Sequence, residues 1–408
     1  MNRIPSVARL TLILGALAAF APLATDMYLA SFPALVRHFR TDMTHVQNSV
    51  SVFFLGLAAG QLFYGPLIDR FGRRIPLLAG EVLFTVSSLA LILVPHIDQF
   101  LAVRLLQAIG GCSGMVVGRA VIQDLFAERE AAGVLSGVMM VQAIAPIAAP
   151  VLGAYLLEFG GWRSIFMLLT LFGAACCGVT AWGLPETLPS SGRRREGIGP
   201  MILVYLGLLG QRSFVVPAVV GGLGISSMFA FIAGSPFVFM TLYGASARQY
   251  GLLFALNALA SVIFAQGNRY LLRRFPVHLV FSGAIAINLV AAAALLAVAG
   301  VHLLPLFLLP LWFVIATVPV LGANSTALAM AASSDRAGSA SGLIGVMQFG
   351  MASIASALVG LFANGTAYPM IGVMLGSMSL GGVIWTVDAA RSQTNRSFLL
   401  LFCKKEDS

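Results

Sequence analysis

The chain has 408 residues, 59% of them hydrophobic and only 10% charged, with a net charge of +9 and a mean hydropathy of +0.94. Soluble domains run about 45–50% apolar, so this composition excludes a soluble globular protein. The positive charge does not build a nucleic-acid-binding face: it falls in short clusters between apolar runs, namely Arg70, Arg73 and Arg74, then Arg193, Arg194 and Arg195, then Arg269, Arg273 and Arg274, as in loops on the inner side of a membrane.

A helix crosses a bilayer in about 20 mainly apolar residues. Runs of that length fall near 8–32, 45–67, 76–95, 99–119, 133–157 and 163–184, and again near 213–237, 247–267, 277–299, 303–323, 339–362 and 368–388. The expected fold class is therefore an all-α membrane protein with twelve transmembrane helices in two six-helix bundles. Residues 1–185 form the first bundle and 201–391 the second. Between them lies a linker, 186–200, rich in Ser, Gly and Arg; 392–408 is a tail, whose apolar run from Phe398 to Phe402 is too short to span. The first run continues to Asp26-Met27-Tyr28 without a small-residue cleavage site, so it reads as a retained helix and not a signal peptide. With the N-terminus inside, about 19 Lys and Arg residues face the cytoplasm and about 4 face outward, which predicts both termini in the cytoplasm.

The halves echo each other. The loop after the second run reads Gly65-Pro66-Leu67-Ile68-Asp69-Arg70-Phe71-Gly72-Arg73-Arg74, and the loop after the eighth reads Gly267-Asn268-Arg269-Tyr270-Leu271-Leu272-Arg273-Arg274-Phe275. Related loops at equivalent places suggest an internal duplication, the usual plan of secondary transporters. Neither a nucleotide-binding loop nor a nucleophile–base pair is present, so no enzyme is expected. No cofactor or metal is expected either: the four cysteines show no metal-ligand spacing. Uphill transport would draw on an ion gradient.

Two charges lie inside apolar runs, Asp26 in the first and Arg104 in the fourth. An ionised group at the bilayer centre costs a few to more than ten kcal/mol, and one kept there usually carries protons or grips a ligand. Counted at about 1.5 Å per residue, Asp26 lies roughly 10 Å below the outer surface and Arg104 roughly 9 Å. A third embedded charge, Glu81, sits about five residues into the third helix, where snorkelling or pairing with a loop arginine gives it a structural role. The five histidines all fall near helix ends and none reads as a proton relay.

Gly65-x-x-x-Asp69-Arg70-x-Gly72-Arg73-Arg74 resembles the signature loop of the major facilitator superfamily. Three further stretches resemble its Bcr/CflA drug-resistance branch of drug–proton antiporters: Ala24-Thr25-Asp26-Met27-Tyr28-Leu29, Arg119-Ala120-Val121-Ile122-Gln123-Asp124 and Gly338-Ser339-Ala340-Ser341-Gly342. The resemblance implies that the first and fourth helices face each other across a central cavity, with Asp26 the proton carrier. Arg104, in Arg104-Leu105-Leu106-Gln107-x-x-Gly110, tunes it, because arginine does not itself release a proton. It also implies gating by Gly65, Asp69, Arg70, Gly72, Arg73, Arg119 and Asp124. Asp69 would lie against the positive N-terminal end of the eleventh helix when the inner side is shut, with Gly65 letting that neighbour approach. The fifth-helix antiporter pattern departs from the family's: Met140 and Ala149 stand where glycines are typical, although Pro146, Pro150 and Gly153 remain and the prolines bend the helix.

The second half holds embedded amides and hydroxyls in place of acids. Asn257, Asn324 and Gln348, with Tyr28, are the expected cavity residues; such groups serve equally well to glue helices together. Most of Phe229, Phe231, Phe237 and Phe239 are expected to pack or face lipid, with one or two left to wall the cavity or its outer gate. An apolar cavity with few polar groups suits lipophilic molecules. The expectation is thus a monomeric bacterial inner-membrane exporter of phenicol- or bicyclomycin-type drugs in exchange for protons. The alternative is a proton-coupled importer of a small metabolite.

Overall fold

The computed structural model describes residues 7–126, 128–189, 193, 198–301, 303–333 and 337–406. Among these, every regular element is a helix: α1 Val7–Ala18, α2 Phe20–Asp26, α3 Phe32–Phe39, α4 Met43–Phe71, α5 Arg74–Leu93, α6 Ile97–Leu125, α7 Glu128–Gly183, α8 Ile198–Leu209, α9 Arg212–Pro236, α10 Ala247–Leu271, α11 Val277–Val298, α12 Leu304–Ala331, α13 Ala337–Leu361 and α14 Tyr368–Glu406. Eleven stretches are long and apolar enough to span, and one of them, Gly133–Gly183, is 51 residues long. That is more than a bilayer needs for two crossings. Gly161 breaks it at φ 69°, a conformation glycine adopts without a Cβ penalty. Its two arms bring the spans to the expected twelve.

Three elements differ from the expected boundaries. The first span does not end at 32 but runs to Phe39, in pieces: α1, α2, a single 3-10 turn at Leu29–Ser31, and α3. Pro22 and Pro33 explain two of the breaks, since proline lacks the N–H that continues a helix and suits a first turn instead. Asp26 therefore falls nearer the middle of its span than its sequence distance from Pro33 suggests. The short apolar helix α8 was not expected; it opens with Pro200 in its first turn and packs on α9 and α13. The tail is not a separate segment: α14 runs on to Glu406, with neither Gly nor Pro after Gly382 to stop it. Most of the 186–200 linker lies outside the described residues.

The six spans before α8 and the six after it meet along two seams, α4 against α13 and α7 against α10. Contacts gather at the end of the bundle remote from the Asp69 loop, here termed the far face; the end carrying that loop is the basic face. On the far side Arg248 Nη2 donates to Glu158 at 2.8 Å and Ser353 Oγ to the Ser51 carbonyl at 2.8 Å. Phe229 packs on Phe54 at 4.2 Å between ring centres. The α4–α13 seam continues into the basic half, where a Cβ on Gly345 would press on the Gln61 side chain at 3.0 Å. A side chain added at Gly65 or at its repeat counterpart Gly267 would meet nothing within 4 Å. Arg119 Nη1 to Ser341 Oγ, at 3.5 Å, is the cross-seam hydrogen bond described there.

Glycines fix the closest approaches near the far face. A Cβ at Gly153 would overlap the Met27 carbonyl oxygen, and one at Gly251 would press on the Pro150 carbonyl at 2.8 Å. The span of Pro146, Pro150 and Gly153 thus touches both the break in the first span and α10. Gly153→Ala should lower the melting temperature in detergent by several degrees, because overpacking of this kind costs about 1–3 kcal/mol; a melt unchanged from wild type would show that Met27 yields freely.

Candidate functional site

Asp26 ends α2 and Tyr28 precedes the 3-10 turn, so the interruption of the first span presents both. Asp26 is 3% exposed and Arg104 fully buried. Arg104 Nη1 donates to the Ala24 carbonyl at 3.1 Å and to Gln107 Oε1 at 2.5 Å. Gln107 in turn donates to Ser88 Oγ at 2.8 Å. The guanidinium lies between two rings, 4.2 Å from the centre of Tyr28 and 4.2 Å from that of Phe53. Stacking of a desolvated guanidinium on a ring is worth about 2 kcal/mol, which holds the cation without a carboxylate.

Arg104 reaches the segment that carries Asp26 only at the Ala24 carbonyl, and the two charges form no ion pair within 4 Å among the described residues. This corrects the expectation that the two charges compensate each other directly. The rings and the backbone carbonyl do that work here, and Arg104 Nε and Nη2 are left without a partner.

The expected cavity residues separate. Tyr28 is fully buried; its hydroxyl is 2.9 Å from Ser49 Oγ and its ring serves Arg104. Asn324 is taken up by Asn268, each amide donating to the other at 3.0 and 3.2 Å. Asn257 is 1% exposed, donates to the Leu253 carbonyl at 2.8 Å and leaves its Oδ1 unpaired. Gln348 is half-buried. Tyr28 and Asn324 are thus turned to neighbouring helices and not to open space. Among the described residues Glu81 pairs with no loop arginine: it is fully buried and accepts from Thr180 Oγ1 at 2.8 Å.

At the basic face Arg73 is the hub. Its Nη1 donates to Asp69 and its Nε to Asp124, at 2.8 and 2.9 Å. Burial pulls the guanidinium down, but the bonds to Asp124 and Asp69 outweigh it and hold Arg73 above the ordinary arginine range. Asp69 is engaged with Arg73 and its side chain is 47% exposed; residues 334–336, just before α13, lie outside the described residues. A Cβ at Gly65, expected to admit the eleventh helix, would meet nothing within 4 Å, although Gln61 one turn before it touches Gly345 of α13. Arg70 is exposed over the Phe71 ring. Gly72 has φ 89°, and a Cβ there would meet the Glu186 carboxylate.

Sequence reading missed Glu186 and Thr187. Glu186 caps α5, accepting from the Arg73 and Arg74 N–H groups at 2.8 and 3.3 Å, and Thr187 Oγ1 donates to Asp124 at 2.9 Å. An acid at a helix N-terminus is a recognisable signal, but these residues stand more than a hundred positions from the helix they cap.

Residues 14–357 match the Major Facilitator Superfamily. The chain belongs to that superfamily. It is 34% identical over 381 residues to an uncharacterized MFS-type transporter, YdgK, of Bacillus subtilis, covering 92% of this chain and 94% of the relative. It is 28% identical over 378 residues to a bicyclomycin resistance protein homolog of Haemophilus influenzae, with 92% and 94% covered. A chloramphenicol resistance protein of Pseudomonas aeruginosa is 31% identical over 321 residues, with 76% and 73% covered. The solved D-xylose-proton symporter shares the fold at TM-score 0.69 and 16% identity, over 93% of this chain and 97% of that one. The chain is therefore a multi-pass membrane transporter and not an enzyme, and its relatives are those of the drug-resistance branch that its motifs resemble.

The reciprocal amides yield a prediction. Asn268→Leu or Asn324→Leu alone strands one buried amide and should cost about 1 kcal/mol or more, whereas the double variant should regain much of the loss. Melting in detergent checks this; additive losses would show that the two amides do not act on each other.

Proposed function

We propose that this transporter exports lipophilic antibiotics of phenicol or bicyclomycin type across the bacterial inner membrane in exchange for protons, by alternating access, as a monomer. The basic face is read as cytoplasmic, with both termini there, because the arginine clusters gather on it. Residues 1–185 and 201–391 are the two rocking halves, joined by 186–200. The drug class is carried by the resistance names of relatives that match nearly the whole chain or three-quarters of it.

The proton mechanism is supported by one observation, a buried carboxylate at Asp26 in the same broken segment whose Ala24 carbonyl holds the buried Arg104. A protonated Asp26 is neutral and needs no counter-ion, which suits the present arrangement with the rings holding Arg104. After the proton leaves, the carboxylate becomes the natural partner for the idle Nε and Nη2, since guanidinium and carboxylate match in a planar fork. The proton taken from outside is thus released when the cavity faces the cytoplasm and drug enters, and Arg104 stabilises the charge left behind. Asp69, Arg73 and Asp124 act on the opening of the basic face, together with Arg119 at Ser341, and not on drug affinity. Asn257 and Gln348 remain the amides assigned to the cargo.

Asp26→Asn should leave a folded protein that neither releases protons on drug addition nor protects a pump-deficient host against chloramphenicol. Retained pH-gradient-dependent export would move the proton to Glu81. Uptake of drug instead of extrusion would establish the importer reading. Arg104→Lys should lower export at least about tenfold despite keeping the charge, because lysine loses the planar stack and the fork; transport at the wild-type rate would reduce Arg104 to a diffuse positive charge.

A further inference from the structure

The two repeated loops differ in what their arginines hold. In the first half Arg73 bonds Asp69 and Asp124, and Arg74 donates to the Ala181 carbonyl while Glu186 takes its backbone N–H. The counterpart loop keeps the arginines, Arg269, Arg273 and Arg274, and none of the acids: Leu271 stands four residues after Gly267, as Asp69 stands four after Gly65. Residues 201–391 carry two acids in all, Asp335, outside the described residues, and Asp388, which is bonded to Arg212. Among the described residues no carboxylate lies within 4 Å of Arg269, Arg273 or Arg274. A single acid such as Asp335 would balance one arginine of the three.

The turn that carries them has a defined course. α10 ends at Leu271, and the N–H groups of Arg273, Arg274 and Phe275 close on the carbonyls of Tyr270, Leu271 and Leu271 at 3.2, 3.0 and 2.9 Å before Pro276 caps α11. Every residue from Arg269 to Phe275 is exposed. Arg274 lies over the Tyr270 ring, 4.9 Å from its centre, and Arg269 is bonded to the neutral Gln266 amide at 3.4 Å. A helix C-terminus draws cations into its last turn, which accounts for Arg269 and not for the two beyond it. Rings are interleaved with the charges: Tyr270 is 53% exposed and Phe275 47%. Amphipathic rings of this kind sit at the headgroup level of a bilayer. The helices on either side carry exposed apolar side chains, Ile263 on α10 and Leu279 and Val290 on α11, so acyl chains reach up to the turn.

We propose that this turn is a docking surface for anionic phospholipids in the leaflet at the basic face. The guanidinium groups take phosphate oxygens in paired N–H bonds, and Tyr270 and Phe275 settle among the glycerol and upper acyl carbons. Three arginines outweigh the charge of one phosphate, so a lipid with two, of cardiolipin type, binds tightest. All of these residues belong to the second half. The lipid is therefore held whichever way the transporter faces, and its binding does not depend on the cargo.

The test uses purified, delipidated full-length protein in neutral detergent, titrated with cardiolipin, phosphatidylglycerol or phosphatidylcholine, with bound lipid counted by native mass spectrometry. Cardiolipin should bind at least about tenfold more tightly than phosphatidylcholine, with phosphatidylglycerol between them. One arginine near an anionic lipid is worth about fivefold in binding. Arg269→Gln, Arg273→Gln and Arg274→Gln together should thus weaken cardiolipin at least about tenfold, and each alone severalfold. The melting temperature should stay at the wild-type value, since all three are exposed; should the triple variant melt lower, the single variants read the same loss. Arg37→Gln with Arg40→Gln, two exposed arginines of the far face, should leave cardiolipin binding unchanged. Inorganic pyrophosphate at the lipid's concentration should displace none of it. Cardiolipin binding that survives the triple substitution, or that falls as far in the far-face pair, would overturn the site. Equal binding of phosphatidylcholine would overturn the anionic class, and equal binding of phosphatidylglycerol the preference for two phosphates. Displacement by pyrophosphate would assign the arginines to a soluble phosphate and overturn the lipid.

Discussion

Inside a bilayer every backbone polar group must find a partner within the protein, and the broken first span makes that requirement the centre of this molecule. A continuous helix would satisfy its own carbonyls. This one carries Pro22 and ends α2 at Asp26, so carbonyls near the breaks need outside donors. Gln142 Nε2, from α7, reaches the Ala18 carbonyl at 3.4 Å, and Arg104, from α6, takes that of Ala24. The position of the buried cation thus follows from an unpaired backbone carbonyl two residues before the buried acid. Tyr28 and Phe53 then supply the electron-rich faces that let the cation stay there.

The fold was legible because hydropathy reads span length directly. Twelve runs of bilayer length and a lopsided arginine count need no tertiary information. The residues of the candidate site were legible by type for the same reason, since Asp26, Arg104 and Glu81 stand out in an apolar background. Their partners were not. Whether Arg104 bonds Asp26 or stacks on rings depends on rotamers set by α4 and by the 3-10 turn, neither of which leaves a periodic signal. The amides show the same limit: Asn324 and Asn257 look alike in sequence, yet one is locked to Asn268 on a neighbouring helix and the other bonds its own helix. Glu81 was read as snorkelling to a loop, but Thr180 lies within reach on the second arm of α7, and a short buried bond was available.

The two faces of the molecule are built by different physics. On the far face the halves meet by shape: glycines at 251 and 360 bring backbone and side chains close, and the ion pair of Arg248 with Glu158 is half-exposed, so it adds little. On the basic face order within the first half is electrostatic, with Arg73 holding Asp69 and Asp124 around the N-terminus of α5. Packing of the first kind is short-ranged and is lost at once when surfaces separate. A charge cluster confined to one half stays intact through such a separation, which allows the first half to move as a unit.

Glu186 and Thr187 belong to that cluster, and α8 belongs by its packing to α9 and α13. The connection between the halves is therefore a tether with both anchors fixed, one on each body. From Leu188, whose N–H is bonded to Glu186 at 3.0 Å, to Ile198 the chain has ten steps, a reach of at most about 36 Å. That reach bounds how far Leu188 and Ile198 can separate in any state of the molecule, whatever path the chain takes between them.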